Sequence, residues 1–293
     1  KGINHSINTT AWTTKLDTLS VPAFKTQNTI TQHQPYPLGQ PSKVYPSGET
    51  YPLGNFGDTK SLTSGFPMTK IFYDGPTNKK QIYLHHTAGS TKSPAVTIER
   101  WSRGTDHIAT HYITNNLGDK EQLFADEAWA NHLGVGTAAF ANAGVPYQNL
   151  NKISLGIEMQ AFGYLEYNSR TKQYETAYHN PSEGISSTVP ASEVAQPVGK
   201  NGEFIEYKGH KYYQKYNATN IAHVKTIVTG WMSKFGIPFV YNYDELFPNT
   251  DQPLIKKALA GTPGIYTHNS VRSGKSDVFP QKELIDMLKS ISQ

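Results

Sequence analysis

The chain has 293 residues, of which 37% are apolar, a share that suits one real core carrying polar, loop-rich additions. Its net charge of +4 favours anionic partners only mildly, and no Lys/Arg cluster carries interleaved aromatics, so nucleic acid is not an expected partner. No apolar run approaches about 18 residues, which argues against a membrane span. The absence of cysteine excludes disulfides, thiolate nucleophiles and thiolate metal sites, so a metal here must rest on His, Asp or Glu.

Residues 1–24 predict a β-hairpin, with Asn8-Thr9-Thr10 as the turn between an extended piece at Ile3–Ile7 and a Thr-rich strand at Ala11–Leu19. Residues 25–69 are rich in Pro, Gly, Ser and Gln and read as a linker, in which Tyr36-Pro37-Leu38-Gly39 is echoed by Tyr51-Pro52-Leu53-Gly54. The chain begins at Lys1 without a signal-peptide pattern, which suggests a processed product or a piece of something longer. A domain spanning 70–293 follows. Gln81–Leu84 is a short apolar strand leading into His85-His86, and Ser93-Pro94 opens a helix with Val96, Ile98 and Trp101 on its apolar side. His111–Thr114 and Glu121–Ala125 read as hairpin partners across a turn at Asn116–Asp119, and Ile153–Met159 as a third strand. Residues 164–216, rich in Tyr and interrupted by proline, look like an insertion with a small hairpin near Glu203–Tyr213. Thr219 is the expected cap of a helix carrying Ile221, Val224, Ile227, Val228, Trp231 and Phe235, which ends at Gly236. Gly264–Thr267 is a strand into His268, and a last helix follows Pro280. Alternating strands and helices predict an α/β fold, a central mixed β-sheet with helices packed on its faces.

Two of these strands end in histidine, at His85 and His268, and Asp277 lies nine residues beyond the second. Two imidazoles and a carboxylate suit Zn²⁺ and leave a fourth position for water. On spacing alone, three unrelated polar residues remain the more economical reading.

The flanking segments change that balance. Ile82-Tyr83-Leu84-His85-His86-Thr87-Ala88-Gly89, Thr110-His111-Tyr112-Ile113 followed by Gly118, Ala128-Trp129, Ser154-Leu155-Gly156-Ile157-Glu158, and His268 through Lys275-Ser276-Asp277 occur in the order in which similar segments occur in zinc-dependent N-acetylmuramoyl-L-alanine amidases and peptidoglycan recognition proteins. The chain resembles that family over roughly residues 70–290. The resemblance implies a zinc cleft at the strand ends, a single Zn²⁺ held by His85, His268 and Asp277, Glu158 as the catalytic carboxylate, and Lys275 as a basic partner of the transition state. It further implies cleavage of the bond between N-acetylmuramic acid and L-alanine, with bacterial peptidoglycan as partner, by a virion-associated or secreted protein acting at the cell surface or in the periplasm. Thr110 stands where some relatives carry Tyr, which places weight on Glu158, and the large insertion after Glu158 is unusual.

Four further residues are candidates for substrate binding. His86 is an alternative to His85 as ligand, or a structural hydrogen-bonding group; Trp129 and His132 fall on a loop near the groove, where Trp129 serves either as a stacking platform or as core; Arg272 suits a stem-peptide carboxylate or plain solvent. His111 is expected to be a satisfied buried histidine and His223 a surface one. Gly2–Ile7 with Ala11–Leu16 weakly resembles the end of a phage tail-hub protein, which implies tail or baseplate contacts through residues 1–69. The competing functional classes are a non-catalytic peptidoglycan-binding module and a structural virion component.

Overall fold

The computed structural model describes residues 42–44, 50–54, 72–73, 77–89, 94–103, 108–177 and 188–293. The chain divides into two units, Lys1–Ile30 and Thr31–Gln293. The first unit, and with it the expected 1–24 hairpin and the tail-hub resemblance, lies outside the described residues.

In chain order the elements are β1 (Ser42–Val44), β2 (Thr50–Gly54), β3 (Phe72–Tyr73), β4 (Gln81–His86), α1 (Pro94–Arg103), β5 (Tyr112–Thr114), β6 (Lys120–Gln122), α2 (Thr137–Ala143), α3 (Leu150–Ile153) and β7 (Ser154–Met159). They continue with β8 (Tyr164–Asn168), β9 (Gln173–Thr176), β10 (Thr188–Val189), β11 (Val194–Ala195), β12 (Tyr212–Gln214), α4 (Ala218–Phe235), α5 (Tyr243–Leu246), α6 (Lys256–Leu259), β13 (Gly264–Thr267), α7 (His268–Val271) and α8 (Lys282–Ser290).

The central sheet has the order β13-β4-β7-β5-β6. Its first four strands are parallel and β6 closes the edge antiparallel, so the sheet is mixed and the fold is α/β. Strands β4 and β7 are buried at every position, as parallel strands covered on both faces must be. Alternation assigns the faces. Ile82, Leu84, Leu155, Ile157 and Ile265 pack with Val224, Val228 and Trp231 of α4 and Leu284 and Leu288 of α8. Tyr83 and Tyr266 point the other way, into a cluster with Leu133, Phe140, Leu150, Ala258, Leu259 and Val271. His85, two residues beyond Tyr83, therefore emerges on this second face.

Three local expectations are corrected. The cap of α4 is Asn217 and not Thr219: the Asn217 side chain accepts from the Asn220 backbone N–H at 2.9 Å, two positions before the Thr, while Gly236 in a left-handed conformation ends the helix. Part of the expected linker is structured, since β1, β2 and β3 form an antiparallel sheet that takes in Tyr51–Gly54. The 164–216 segment builds more than a hairpin: its strands form a five-stranded antiparallel sheet of order β10-β9-β8-β12-β11. Its alternation was obscured because both faces carry tyrosine. Tyr213 is buried and stacked on Phe279, while Tyr212, its neighbour, meets Tyr174 and Tyr167.

Lys79 is fully buried just ahead of β4, and its ammonium donates to the carbonyls of Ala128 (2.6 Å), Ser154 (3.1 Å) and Lys152 (3.3 Å). One charge thus satisfies three carbonyls on two chain segments, 128 and 152–154. Burial pulls its pKa down to about 7, with Asp126 and Glu127 opposing. The unfolded chain holds this proton more tightly than the folded one, so the charge costs stability below pH 7 and that cost is relieved as pH rises toward about 10.5. Lys79→Met should lose on the order of 3 kcal/mol in denaturant unfolding, from the carbonyls left without a donor. The gap between wild type and variant should widen between about pH 7 and pH 9.

Candidate metal centre

The site is a product of strand register. In the parallel pair β4–β7, His85 lies opposite Glu158, and in β13–β4 Thr267 lies opposite Leu84, which brings His268 level with His85. Three adjacent strands therefore bring His268, His85 and Glu158 side by side at their carboxyl ends, where open parallel sheets form their clefts. Asp277 returns from beyond α7 to complete the group. Among the described residues, the metal-binding set of His, Asp or Glu is His85, His268 and Asp277, all buried, with ligand atoms within 4.8 Å of one another.

The donor atoms form a tight triangle. His85 Nδ1 and His268 Nδ1 are 3.1 Å apart, His268 Nδ1 and Asp277 Oδ2 are 3.0 Å apart, and His85 Nδ1 and Asp277 Oδ2 are 3.4 Å apart. Ligands of a tetrahedral ion bound at about 2.0–2.1 Å stand roughly 3.3 Å from one another, so the triangle has the size of one face of such a site.

The supporting contacts aim the same atoms inward. His268 Nε2 faces the Leu133 carbonyl at 2.8 Å, which can only accept, so that nitrogen carries a proton and leaves Nδ1 as the atom a metal would take. His85 Nε2 meets His132 Nδ1 at 3.0 Å, and His132 Nε2 meets Ser154 Oγ at 2.8 Å. With protons on both Nε2 atoms, the relay turns His85 Nδ1 toward the centre as a second lone pair. Burial holds His85 near 4 and His132 well below the ordinary histidine range, so both rings are neutral, the form that binds metal. The residues fit a divalent ion: a carboxylate and two inward lone pairs crowd a point that contains no donor of its own.

Glu158 stands beside this centre, buried, with its carboxyl raised well above the ordinary range by burial and then by Asp277, while the Lys275 ammonium works against the rise. Lys275 is half-buried and close enough to influence His85 and Glu158 alike.

The four expected substrate-binding residues fare differently. Trp129 is fully buried and stacked on Tyr73 at 4.2 Å, so it has no face to offer a substrate. His132 is buried with both nitrogens engaged, and orients His85 instead of meeting substrate. His86 sits on the opposite face of β4, because adjacent strand residues alternate, and its Nδ1 bonds the Tyr216 hydroxyl at 2.7 Å. Arg272 alone is exposed. His111 is buried and satisfied at both nitrogens, accepting from the Gly156 N–H and facing the Ala128 carbonyl. His223 is half-buried and bonds the Gly118 carbonyl.

Sequence reasoning missed the roles of Ser154, Gly156 and the Leu133 carbonyl. Gly156 has a steric duty: a Cβ there would lie 2.9 Å from His132 Nδ1 and 2.9 Å from Thr110 Cγ2, so only glycine lets His132 lie across β7 and reach His85. The glycine was visible in the Ser154–Glu158 motif; its reason was not.

No protein-family model and no curated protein sequence matches the chain. Among solved structures it is similar to N-acetylmuramoyl-L-alanine amidases. One is LysC from Clostridium intestinale URNW, at 10% identity and a TM-score of 0.38, covering 78% of this chain and 93% of that one. It is also similar to an AmpD derivative, at 10% identity and a TM-score of 0.40 over 78% and 93%, and to the Staphylococcus aureus hydrolase AmiA, at 11% and 0.36 over 78% of each chain. Likeness at this level leaves the functional reading to the site's own geometry.

Removing either support should loosen the centre. His132→Ala and Gly156→Ala should each weaken metal affinity by about 10–100-fold, the usual effect of losing an outer-shell partner, measured by chelator competition.

Proposed function

We propose that this chain is a zinc-dependent N-acetylmuramoyl-L-alanine amidase, and that residues 70–293 are its catalytic domain. The observation that carries the reading is the donor triangle of His85, His268 and Asp277 with both imidazole tautomers set from behind. The ordered run of motifs around these residues supplies the substrate class. A non-catalytic wall-binding module on the same fold would have no use for a second buried carboxylate beside a complete donor set.

When bound, zinc supplies Lewis-acid polarisation of the scissile carbonyl and lowers the pKa of water to about 7. The chain's own groups do the rest. Glu158, neighbour of His85 across β4 and β7, takes a proton from the attacking water and returns one to the departing alanine nitrogen. Burial raises its pKa, which strengthens the carboxylate as a base toward water. The Lys275 ammonium stabilises the oxyanion that develops as the amide carbon becomes tetrahedral. The substrate is the peptidoglycan of a bacterial wall, reached from outside the cytoplasm by a phage-borne or secreted protein. Among the described residues no helix is long and apolar enough to cross a membrane. Residues 1–69 would be the part that contacts tail or baseplate proteins if the protein is carried on a virion.

Purified peptidoglycan should release L-alanine amino termini on incubation with the protein, stop doing so with a chelator, and resume on adding zinc. Glu158→Ala and Lys275→Ala should retain a single zinc ion by metal analysis and lose about 100-fold or more in turnover. A Glu158→Ala protein that digests walls at the native rate overturns the assignment.

A further inference from the structure

The stretch that carries Asp277 has no ladder to hold it. Residues 277–281, between α7 and α8, lie in neither helix nor strand. Their place against β4 therefore rests on individual contacts, and several of these come from the 164–216 insertion. The Val198 N–H donates to the Pro280 carbonyl at 2.9 Å. Phe279 packs on two rings of the insertion, stacked on Tyr213 with centroids 4.4 Å apart and tilted against Tyr216 at 4.9 Å. Gln281 and Tyr216 are tied twice: the Tyr216 N–H donates to Gln281 Oε1, and Gln281 Nε2 donates to the Tyr216 carbonyl, both at 2.8 Å. From α7, Asn269 Nδ2 adds a bond to the Val278 carbonyl at 3.1 Å.

The same insertion closes on β4 at His86. The Tyr216 hydroxyl, at the insertion's end, shares a hydrogen bond with His86 Nδ1 at 2.7 Å. Gly163, at its start, lies against the same ring, and a Cβ there would come within 2.9 Å of His86 Nε2. The Gln214 N–H donates to the Gly163 carbonyl at 2.9 Å, so the two ends are also bound to each other. His86 Nε2 has no partner among the described residues, which leaves the Tyr216 hydroxyl as the polar contact that orients the ring. His86, Tyr216, Phe279 and Gln281 are all buried. Tyr216 is thus bonded by its side chain to the residue after His85, and by its main chain to the residue four beyond Asp277.

We propose that the insertion is a brace for the metal centre, in which Tyr216 is a positioning residue that fixes the Asp277 loop relative to β4. The inference rests on the metal-centre part of the amidase reading and not on the substrate. Strand pairing aligns His85 with His268, but the third corner of the donor triangle sits on a loop. Metal–ligand distances hold to within about 0.2 Å, so a small shift of that loop spoils the site. Hydrogen bonds fix direction as well as distance, which apolar packing alone does not. Loss of the tie should therefore show in metal affinity and not only in stability.

The test compares two Tyr→Phe variants of the full chain, both of which keep their rings on Phe279. Tyr216→Phe removes the hydroxyl that meets His86. Tyr213→Phe removes one that donates to the Tyr207 carbonyl at 2.7 Å, within the insertion. Zinc affinity is read by chelator competition, and stability by denaturant unfolding of the metal-free proteins. The unfolding midpoints should shift alike, while only Tyr216→Phe should bind zinc about tenfold more weakly, the lower end of what losing an outer-shell partner costs. The visible bands of the cobalt-loaded protein should change in that variant alone. Gln281→Met, which cuts both main-chain ties, should lose at least as much zinc affinity as Tyr216→Phe. Native zinc affinity in Tyr216→Phe, or equal losses in the two tyrosine variants, overturns the brace. Wild-type protein that takes up no zinc overturns the metal centre and the brace with it, whereas zinc uptake without release of L-alanine amino termini from walls overturns the amidase reading alone.

Discussion

Everything at the cleft depends on the in-register parallel pairing of β13, β4 and β7. That pairing lines up His268, His85 and Glu158 on one edge of the sheet and leaves Asp277 only a short return path to join them. A slip of one residue in β4 would turn His85 into the α4–α8 core and bring His86 to the front, because side chains alternate along a strand. Burial of Ile82 and Leu84 on one side and Tyr83 on the other forbids that slip. Hydrophobic packing therefore chooses which of two consecutive histidines joins His268 and Asp277.

The polar groups behind the ligands act by the same logic. His85 and His268 are buried, and a buried imidazole needs its second nitrogen satisfied. The protein meets that need from two sources, the His132–Ser154 pair and a backbone oxygen, and in doing so decides which nitrogen is left bare. The geometry of a site for a positive ion is thereby prepared by interactions that do not touch the ion. Lys79 works one layer lower, tying the carbonyls of Ala128, Lys152 and Ser154 to a single ammonium and so fixing the start of β7, which carries Ser154, Gly156 and Glu158.

Much of this was legible in the chain itself. The runs Gln81–Leu84, Ile153–Met159 and Gly264–Thr267 are short, apolar and bounded by turn-forming or polar residues, and each is a strand within two residues of its expected limits. The α4 periodicity located that helix, although its cap was misplaced by two positions because Asn217 and Thr219 are both competent caps. The three donors were legible through their flanking motifs and not through spacing, since only the fold brings residues 85, 268 and 277 together. Three kinds of information were hidden. The antiparallel sheet after β7 lacked polar–apolar alternation because tyrosine serves on both faces; a single sequence does not distinguish a Trp stacked in the core from one lining a groove; and a backbone carbonyl, such as that of Leu133, has no letter in the sequence.

That last point has a genetic consequence. The side chain of Leu133 belongs to an apolar cluster, while its main-chain oxygen orients His268. The two duties are separable, so Ile, Val or Met at this position would preserve the second while altering only the first. Residue 133 would look like an ordinary interchangeable packing position to a mutational scan, and the loop's path, not its lettering, is what selection would have to protect.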